Sequence, residues 1–509
     1  MYEGIKDIYS LLDNKRLKEA LVQLESICTQ CNDWSLRNRI EELHTAYGYM
    51  LQYARMGMQD PNRDDIFRQF IRQAYELTEG ADISLQAQGS SGLYYQHLRT
   101  FRERPAMSYS EWQVRLESFT EDIGTVSLFH HNEEKIQAET KRICQQHELA
   151  LDELFNKVWT SLHWKESEAY EAEQLISSVL IAPNDKAVLI SAVTLSLLHV
   201  FDERKVSFLI KHCKHEDVQV SQRATVGTIL ILTYRRDWME RYPALLSQLT
   251  LLLDDDAFRQ HLYTIQMQFL MTMETDKISR KMHEEIIPGM MKNPQLREGK
   301  FRFDEAEEGE ELNPEWEEWM DKSGMNEKIR ELGELQMQGA DVYMSTFAQL
   351  KNYPFFNQVS HWFYPFDFNH TDLLALSKDF GADNFSPLNL IVQSDTFCNS
   401  DKYSFCLTLA QMPPAMKEQN IQAIQMQTPM DDEQKSMLQD MMNRPRASKS
   451  VSRQYIQDMY RFYKIWGKKH PNQEKDIFNP GIELWKNPYT LPAFKDTEKM
   501  KNIADFFFQ

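Results

Sequence analysis

The sequence predicts an all-α protein, and three observations carry that reading. Glycine and proline, the residues that punctuate tight turns, number only 17 and 18 in 509 residues, too few for the many turns of an all-β chain. Leu, Met, Gln, Glu and Lys, which all favour helices, are abundant. An apolar content of 42% with 12% aromatics is enough to bury a core and excludes a mainly disordered chain. One core cannot serve this length, so several domains or a continuous repeat array are expected.

Residues 1–165 read as helices. In "KDIYSLLDNKRLKEALVQLESICTQC" the apolar residues Ile8, Leu11, Leu12, Leu17, Leu21 and Leu24 keep helical spacing, and Asp13-Asn14-Lys15 forms the turn. The piece "RLKEALVQLE" resembles the junction of a tetratricopeptide repeat, where Ala20 is the small residue that lets two helices close up. The glycine and aromatic of the full signature are missing, so the resemblance is to a degenerate hairpin. "TEGADISLQAQGSSG" (78–92) reads as the first loop, with helices resuming near Ser110.

Residues 166–300 carry an internal repeat. "NDKAVLISA" (184–192), "EDVQVSQRA" (216–224) and "DDDAFRQHL" (254–262) all read D-x-x-apolar-x-x-x-apolar. The aspartates Asp185, Asp217 and Asp255 are 32 and 38 residues apart. Each is expected at the start of the second helix of a hairpin (171–201, 205–236 and 242–272), accepting from free backbone N–H groups and complementing the helix dipole. The apolar partners Val188 and Ala192, Val220 and Ala224, Phe258 and Leu262 share one helical face and pack on the preceding helix. One hairpin cannot bury both faces, so hairpins stack into an α-α superhelix, or solenoid. The pattern resembles HEAT repeats; Arg259 fits the basic position of that family, whereas Leu189 and Ser221 do not.

The segment 301–325 is acidic. "FDEAEEGEELNPEWEEWMD" (303–321) holds ten acidic residues and no basic one, and Gly309 and Pro314 argue against one continuous helix; a loop or hinge is expected. Residues 326–509 return to helical spacing and end "DTEKMKNIADFFFQ", which looks like the first helix of an incomplete tetratricopeptide repeat. An array normally ends on a polar cap, so the chain is expected to be the N-terminal part of a longer protein. The whole resembles bacterial tetratricopeptide-repeat proteins with a HEAT-like N-terminal half, a resemblance that implies scaffolding rather than a reaction.

The formal charge of -19 repels nucleic acid and anionic membranes overall. Six scattered cysteines and an opening "MYEGIKDIYSLL" without a basic-then-apolar signal point to a reduced, cytoplasmic compartment. The longest apolar run (187–200) is too short for a membrane span. Motifs for chemistry are incomplete. "KHCKHED" (211–217) offers His212, Cys213 and His215, but a structural zinc site wants a second spaced pair. His130 and Glu134 lack the companion helices of a carboxylate-bridged bundle. "HEEII" has Ile287 where a zinc protease needs histidine. Cys28 and Cys31 follow no strand and read as packing residues. In "LLLDDDAFRQ", Ala257 and Phe258 occupy the places where a terpenoid synthase needs acids. No catalytic residue, cofactor or metal is expected.

Two stretches remain as binding candidates. "YPFFNQVSHWFYPFDF" (353–368) packs eight aromatics into 16 residues. Trp362, Tyr364 and Phe366 could line an exposed groove for a partner peptide, or they could pack at a junction between the two halves, which aggregation risk favours. "RPRASKSVSRQ" (444–454) and the amphipathic "YIQDMYRFYKIWGKKH" supply Arg444, Arg446, Arg461 and Lys464, interleaved with Tyr460, Tyr463 and Trp466. Such interleaving can contact phosphates and bases; the acidic whole makes a solvated loop and a core-facing helix the better reading. The expected function is a non-catalytic scaffold that binds a protein partner on an extended concave surface, with nucleic-acid association through 444–469 as the alternative.

Overall fold

The computed structural model describes residues 4–31, 33–102, 107–129, 132–286, 325–338, 340–374, 397–413, 447–466, 476–479 and 481–508, with a few isolated positions between them. Among the described residues all regular structure is helical and no strand occurs. The acidic segment expected at 301–325 lies outside them apart from Met325, as do His130, His131, Ile287, Arg444 and Arg446.

The chain opens with α1 (Ile5–Asp13), α2 (Leu17–Cys28), α3 (Trp34–Arg55) and α4 (Arg63–Gly89). α1 packs on α2 and α3 on α4, and the four share a core of their own that includes Ile5, Ile8, Leu12, Leu21, Leu24, Leu36 and Ile40. Ala20 is fully buried, as a small residue between close helices must be. The stretch 78–92, expected as a loop, is helical through Gly89. Its small and hydroxylated residues Thr78, Ala81 and Ser84 are buried, so they serve packing rather than a turn. Glu79, buried in their midst, accepts from Arg235 Nη1 at 2.8 Å and from the Phe201 amide at 2.9 Å, tying α4 to the region that follows.

After α5 (Leu93–Arg102), the long α6 (Tyr109–Phe129) and α7 (Glu133–Thr160) pack on each other. Three hairpins then follow: α8 (Glu166–Ser177) with α9 (Pro183–His199), α10 (Glu203–His212) with α11 (Val218–Tyr234), and α13 (Pro243–Leu253) with α14 (Asp256–Met273); the short α12 (Arg236–Met239) lies between the last two. First helices adjoin first helices, α10 touching both α8 and α13, while α9 lies along α11. Asp217 caps α11, accepting from the amides of Gln219 and Val220 at 2.8 and 3.2 Å, and Asp255 caps α14 through the Ala257 amide at 2.9 Å. Asp185 does not cap. Pro183 begins α9 two residues earlier, so Asp185 falls inside the first turn and pairs with His147 Nε2 at 3.1 Å. The apolar members Val188, Ala192, Val220, Ala224 and Leu262 are buried as the repeat requires.

Beyond α15 (Thr275–Lys281), the described helices are α16 (Met325–Gln338), α17 (Met344–Ala348), α18 (Asn399–Gln411), α19 (Ser448–Arg461) and α20 (Thr497–Phe508). Residues 349–370 and 476–494 are irregular chain with short 3-10 turns. One hydrophobic core runs continuously from Ile83 through α7, α9, α11 and α14 to Phe363, Tyr455, Phe478 and Ile503, taking residues from both sides of positions 165 and 325.

Candidate functional site

The scaffold expectation places the working surface on successive helices of the hairpins, α11 and α14 among them. That surface is not open, because the chain's own C-terminal segments lie on it. α19 packs against both α11 and α14. The polar residues of these helices read the backbone of the covering segments. Gln266 holds residues 482–484 from both ends of its amide, donating to Ile482 O and accepting from Leu484 N, each at 2.8 Å. Gln268 donates to Lys449 O at 2.7 Å and accepts from Ser452 Oγ at 2.8 Å. Arg223 donates to Phe363 O at 3.2 Å and stacks over the ring of Tyr455. In return Asn487 donates to Leu232 O at 3.1 Å, and the Tyr234 hydroxyl donates to Ile477 O. These glutamines are buried, and an unsatisfied buried amide would cost about 1–3 kcal/mol, so the segments are held in register as well as by apolar area.

The aromatic candidates belong to this covering layer. Trp362 is fully buried; its indole N–H donates to Phe356 O at 3.0 Å, and its ring meets Phe462 and Trp466 edge-on. Tyr364 and Phe366 are buried too, Phe366 against Tyr403. A groove formed by these three rings is closed by the chain itself. The rings pack as the favoured junction reading has it, and the alternative of an exposed peptide-binding groove at Trp362, Tyr364 and Phe366 is corrected; the reason is the area that so many adjacent rings withdraw from water when they pack together.

The basic candidates are likewise engaged inside the molecule. Arg461 is fully buried, its guanidinium forked between Asp401, at 2.8 and 2.6 Å, and Asp341. Lys351, also fully buried, completes the cluster by pairing with Asp401 at 2.9 Å and donating to Ser404 Oγ at 2.9 Å. Burial pushes the Asp401 carboxyl up, but Arg461 and Lys351 together outweigh it and hold it below the ordinary carboxylate range. Nearby Asp458 is pushed up by burial against the Ser400 amide and Asn399, which donate to it at 2.8 and 2.9 Å. Lys464 pairs with Asp476 at 2.7 Å and Asp276 at 3.5 Å. Tyr460, Tyr463 and Trp466 are buried. Neither Arg461 nor Lys464 presents a free cation to phosphate, so that pair is corrected as nucleic-acid contacts: the amphipathic face of α19 turns inward. Arg444 and Arg446 lie outside the described residues.

The remaining motifs are packing features. His212 Nε2 lies 3.3 Å from Glu173, and Cys213 donates to Leu209 O at 3.4 Å. Cys28 and Cys31 are buried where α2 ends, and Arg37 closes that end by donating to Cys28 O, Thr29 O and Cys31 O. Among the described residues no group of three or more His, Cys, Asp or Glu is placed to hold a metal ion, and no helix is long and apolar enough to cross a membrane.

An outward surface that sequence reading missed lies on the α3–α4 hairpin. From His44 to Gln73 no residue is buried, so this half of the hairpin projects from the body. α3 ends in a Schellman motif, with Gly57 at φ +77, its amide on Ala54 O and the Met58 amide on Tyr53 O. Tyr47 packs inward on Phe67 and Phe70. Trp34, Tyr49, Tyr53 and Met56 face solvent at 75, 57, 53 and 63% exposure. At 100° per residue Tyr49, Tyr53 and Met56 fall within one sector about 60° wide at the end of α3, while Trp34 stands apart at the start of the helix. The signal was present in the sequence as i, i+4, i+7 spacing over Tyr49, Tyr53 and Met56, but periodicity does not say which side of an amphipathic helix faces the core.

No protein-family model, curated protein or solved structure matches this chain.

Proposed function

We propose that the chain is a non-catalytic helical-repeat scaffold, an α-α superhelix of tetratricopeptide-like and HEAT-like hairpins, that binds a protein partner. The observation that carries this reading is the exposed patch of Tyr49, Tyr53 and Met56 on the projecting half of the hairpin. Large rings and methionines are the residues that anchor interfaces, and a projecting hairpin presents them without unfolding anything. The partner surface is therefore placed on the outer side of α3, and the repeat face that this chain covers itself acts as a rigid mount. The alternative, nucleic-acid association through 444–469, loses Arg461 and Lys464 to internal ion pairs and keeps, among the described residues, the exposed Lys449.

The test is affinity capture from lysate of the source organism, with and without nuclease, using the wild type and a Tyr49→Ser/Tyr53→Ser/Met56→Ser variant. These positions are exposed, so the variant is expected to keep the wild-type circular dichroism. A stoichiometric protein that resists nuclease and is lost from the variant supports the reading. Retention unchanged in the variant removes α3 as the surface, and recovery that collapses with nuclease favours the alternative.

A further inference from the structure

The layer that covers the repeat face carries an unusual pair of histidines. His361 and His370 face each other edge-on with ring centres 5.2 Å apart, inside a cage of Phe355, Tyr364 and Tyr403. His361 Nδ1–H donates to Phe355 O at 2.8 Å. His370 Nδ1 accepts from the Asp372 amide at 3.3 Å, which places the ring's single proton on Nε2, 3.7 Å from Glu148 Oε2. Protonating His370 would therefore abolish that accepted hydrogen bond and set a second positive charge beside any on His361. Both rings sit where 353–373 docks on α7. Thr371 donates to Glu148 through its amide and hydroxyl at 2.8 and 2.5 Å, and Ser360 donates to Asp152 at 2.6 Å, one turn further along the same face.

We propose that the 353–373 segment is an acid-sensitive clasp, docked on α7 while His361 and His370 are neutral and released when they take up protons. In the docked state burial holds His361 down to about 4, and burial together with the facing His361 holds His370 down to about 3. A released, hydrated histidine titrates near 6.5. Between roughly pH 4.5 and 6.5 the released state thus binds two more protons at these rings. Glu148 acts in the opposite sense. Burial raises it to about 7 against the donors of Thr371, so it holds a proton when docked and loses it when released. Its ionisation favours release as pH rises from about 4.5 to 7.

The other charged and titratable groups around the pair include Lys141, Cys144, His147 and Asp152 of α7; Asp185 of α9, paired with His147; Tyr403 of α18; and Tyr364, Asp367 and Asp372 of the segment itself. Asp152 and Asp372 are raised by burial and act like Glu148. Release therefore sets proton uptake by two histidines against proton loss from Glu148, Asp152 and Asp372, and the clasp requires that the histidine pair prevail below pH 6.5.

Hydrogen exchange by mass spectrometry on the full chain between pH 5.0 and 7.5, corrected for intrinsic rates, reads the opening of 353–373 directly. For the wild type, opening is expected to increase up to about tenfold per unit of acidification below pH 6.5, two protons gained less one lost. His361→Asn is expected to flatten this dependence, and His361→Asn/His370→Asn to reverse it. Glu148→Gln is expected to steepen it towards about a hundredfold per unit, because the opposing proton is gone. Opening that ignores pH in the wild type overturns the clasp, as does a wild-type slope in the double variant. If the double variant does not fold, a Glu148→Gln slope no steeper than wild type overturns it alone.

Discussion

Arg461 shows at the scale of one residue why a basic side chain in a basic stretch need not face a partner. Its guanidinium makes four hydrogen bonds to Asp341 and Asp401, which lie 120 and 60 residues away along the chain, and Lys351 balances the second carboxylate. Taking a guanidinium out of water is expensive, and only this fork repays it. Removing one member leaves uncompensated buried charge. Arg461→Met and Asp401→Asn are each expected to lower unfolding free energy by roughly 3–5 kcal/mol in urea titrations. The double variant is expected to lose less than the sum of the two, since the charge that each single change strands is then absent. Additive losses would show that the cluster is not coupled. The local pattern around Arg461 marked a helix with an apolar face, but no spacing rule can name partners that a fold alone brings together.

At the scale of elements, the hairpins rest on capping and close approach. Asp217 satisfies two amides at the start of α11, so Asp217→Ala is expected to cost about 1 kcal/mol, and Asp185→Ala nothing through capping. Differential scanning calorimetry of the two variants separates the roles. α9 and α11 meet at Gly227, where an added Cβ would collide with Thr194 Oγ1 and stand 3.2 Å from Leu209 Cδ1. Gly227→Ala should therefore destabilise by roughly 1–3 kcal/mol despite alanine's better helix propensity. A stabilised Gly227→Ala protein would mean that α9 can shift to make room. Thr194→Ala/Gly227→Ala is expected to recover part of the loss.

For the molecule as a whole, the decisive feature is that the C-terminal third completes the core of the hairpins. Residues 363, 455, 478 and 494 join the same cluster as α9, α11 and α14. A chain cut once between residues 300 and 322 is expected to stay together: the two fragments should co-elute in size exclusion and separate only in denaturant. Fragments that part under native conditions would restore two independent halves. Gln266→Ala strands the Ile482 carbonyl and the Leu484 amide, so it is expected to raise the rate of proteolysis within 476–494 while leaving α1–α4 resistant.

The sequence by itself determined the helical class, the three hairpins, two of the three aspartate caps and the apolar faces that pack them. Those features follow from local spacing and from the hydrogen-bonding needs of helix ends, which act within a few residues. Only the tertiary structure decided that 78–89 is helix, that Asp185 turns to His147, that the aromatic segment and α19 lie on the repeat face, and that the exposed stripe is on α3. Each of these depends on which surfaces cover one another across tens to hundreds of residues. A polar residue such as Gln266 or Arg461 looks the same in sequence whether it meets water or a buried backbone.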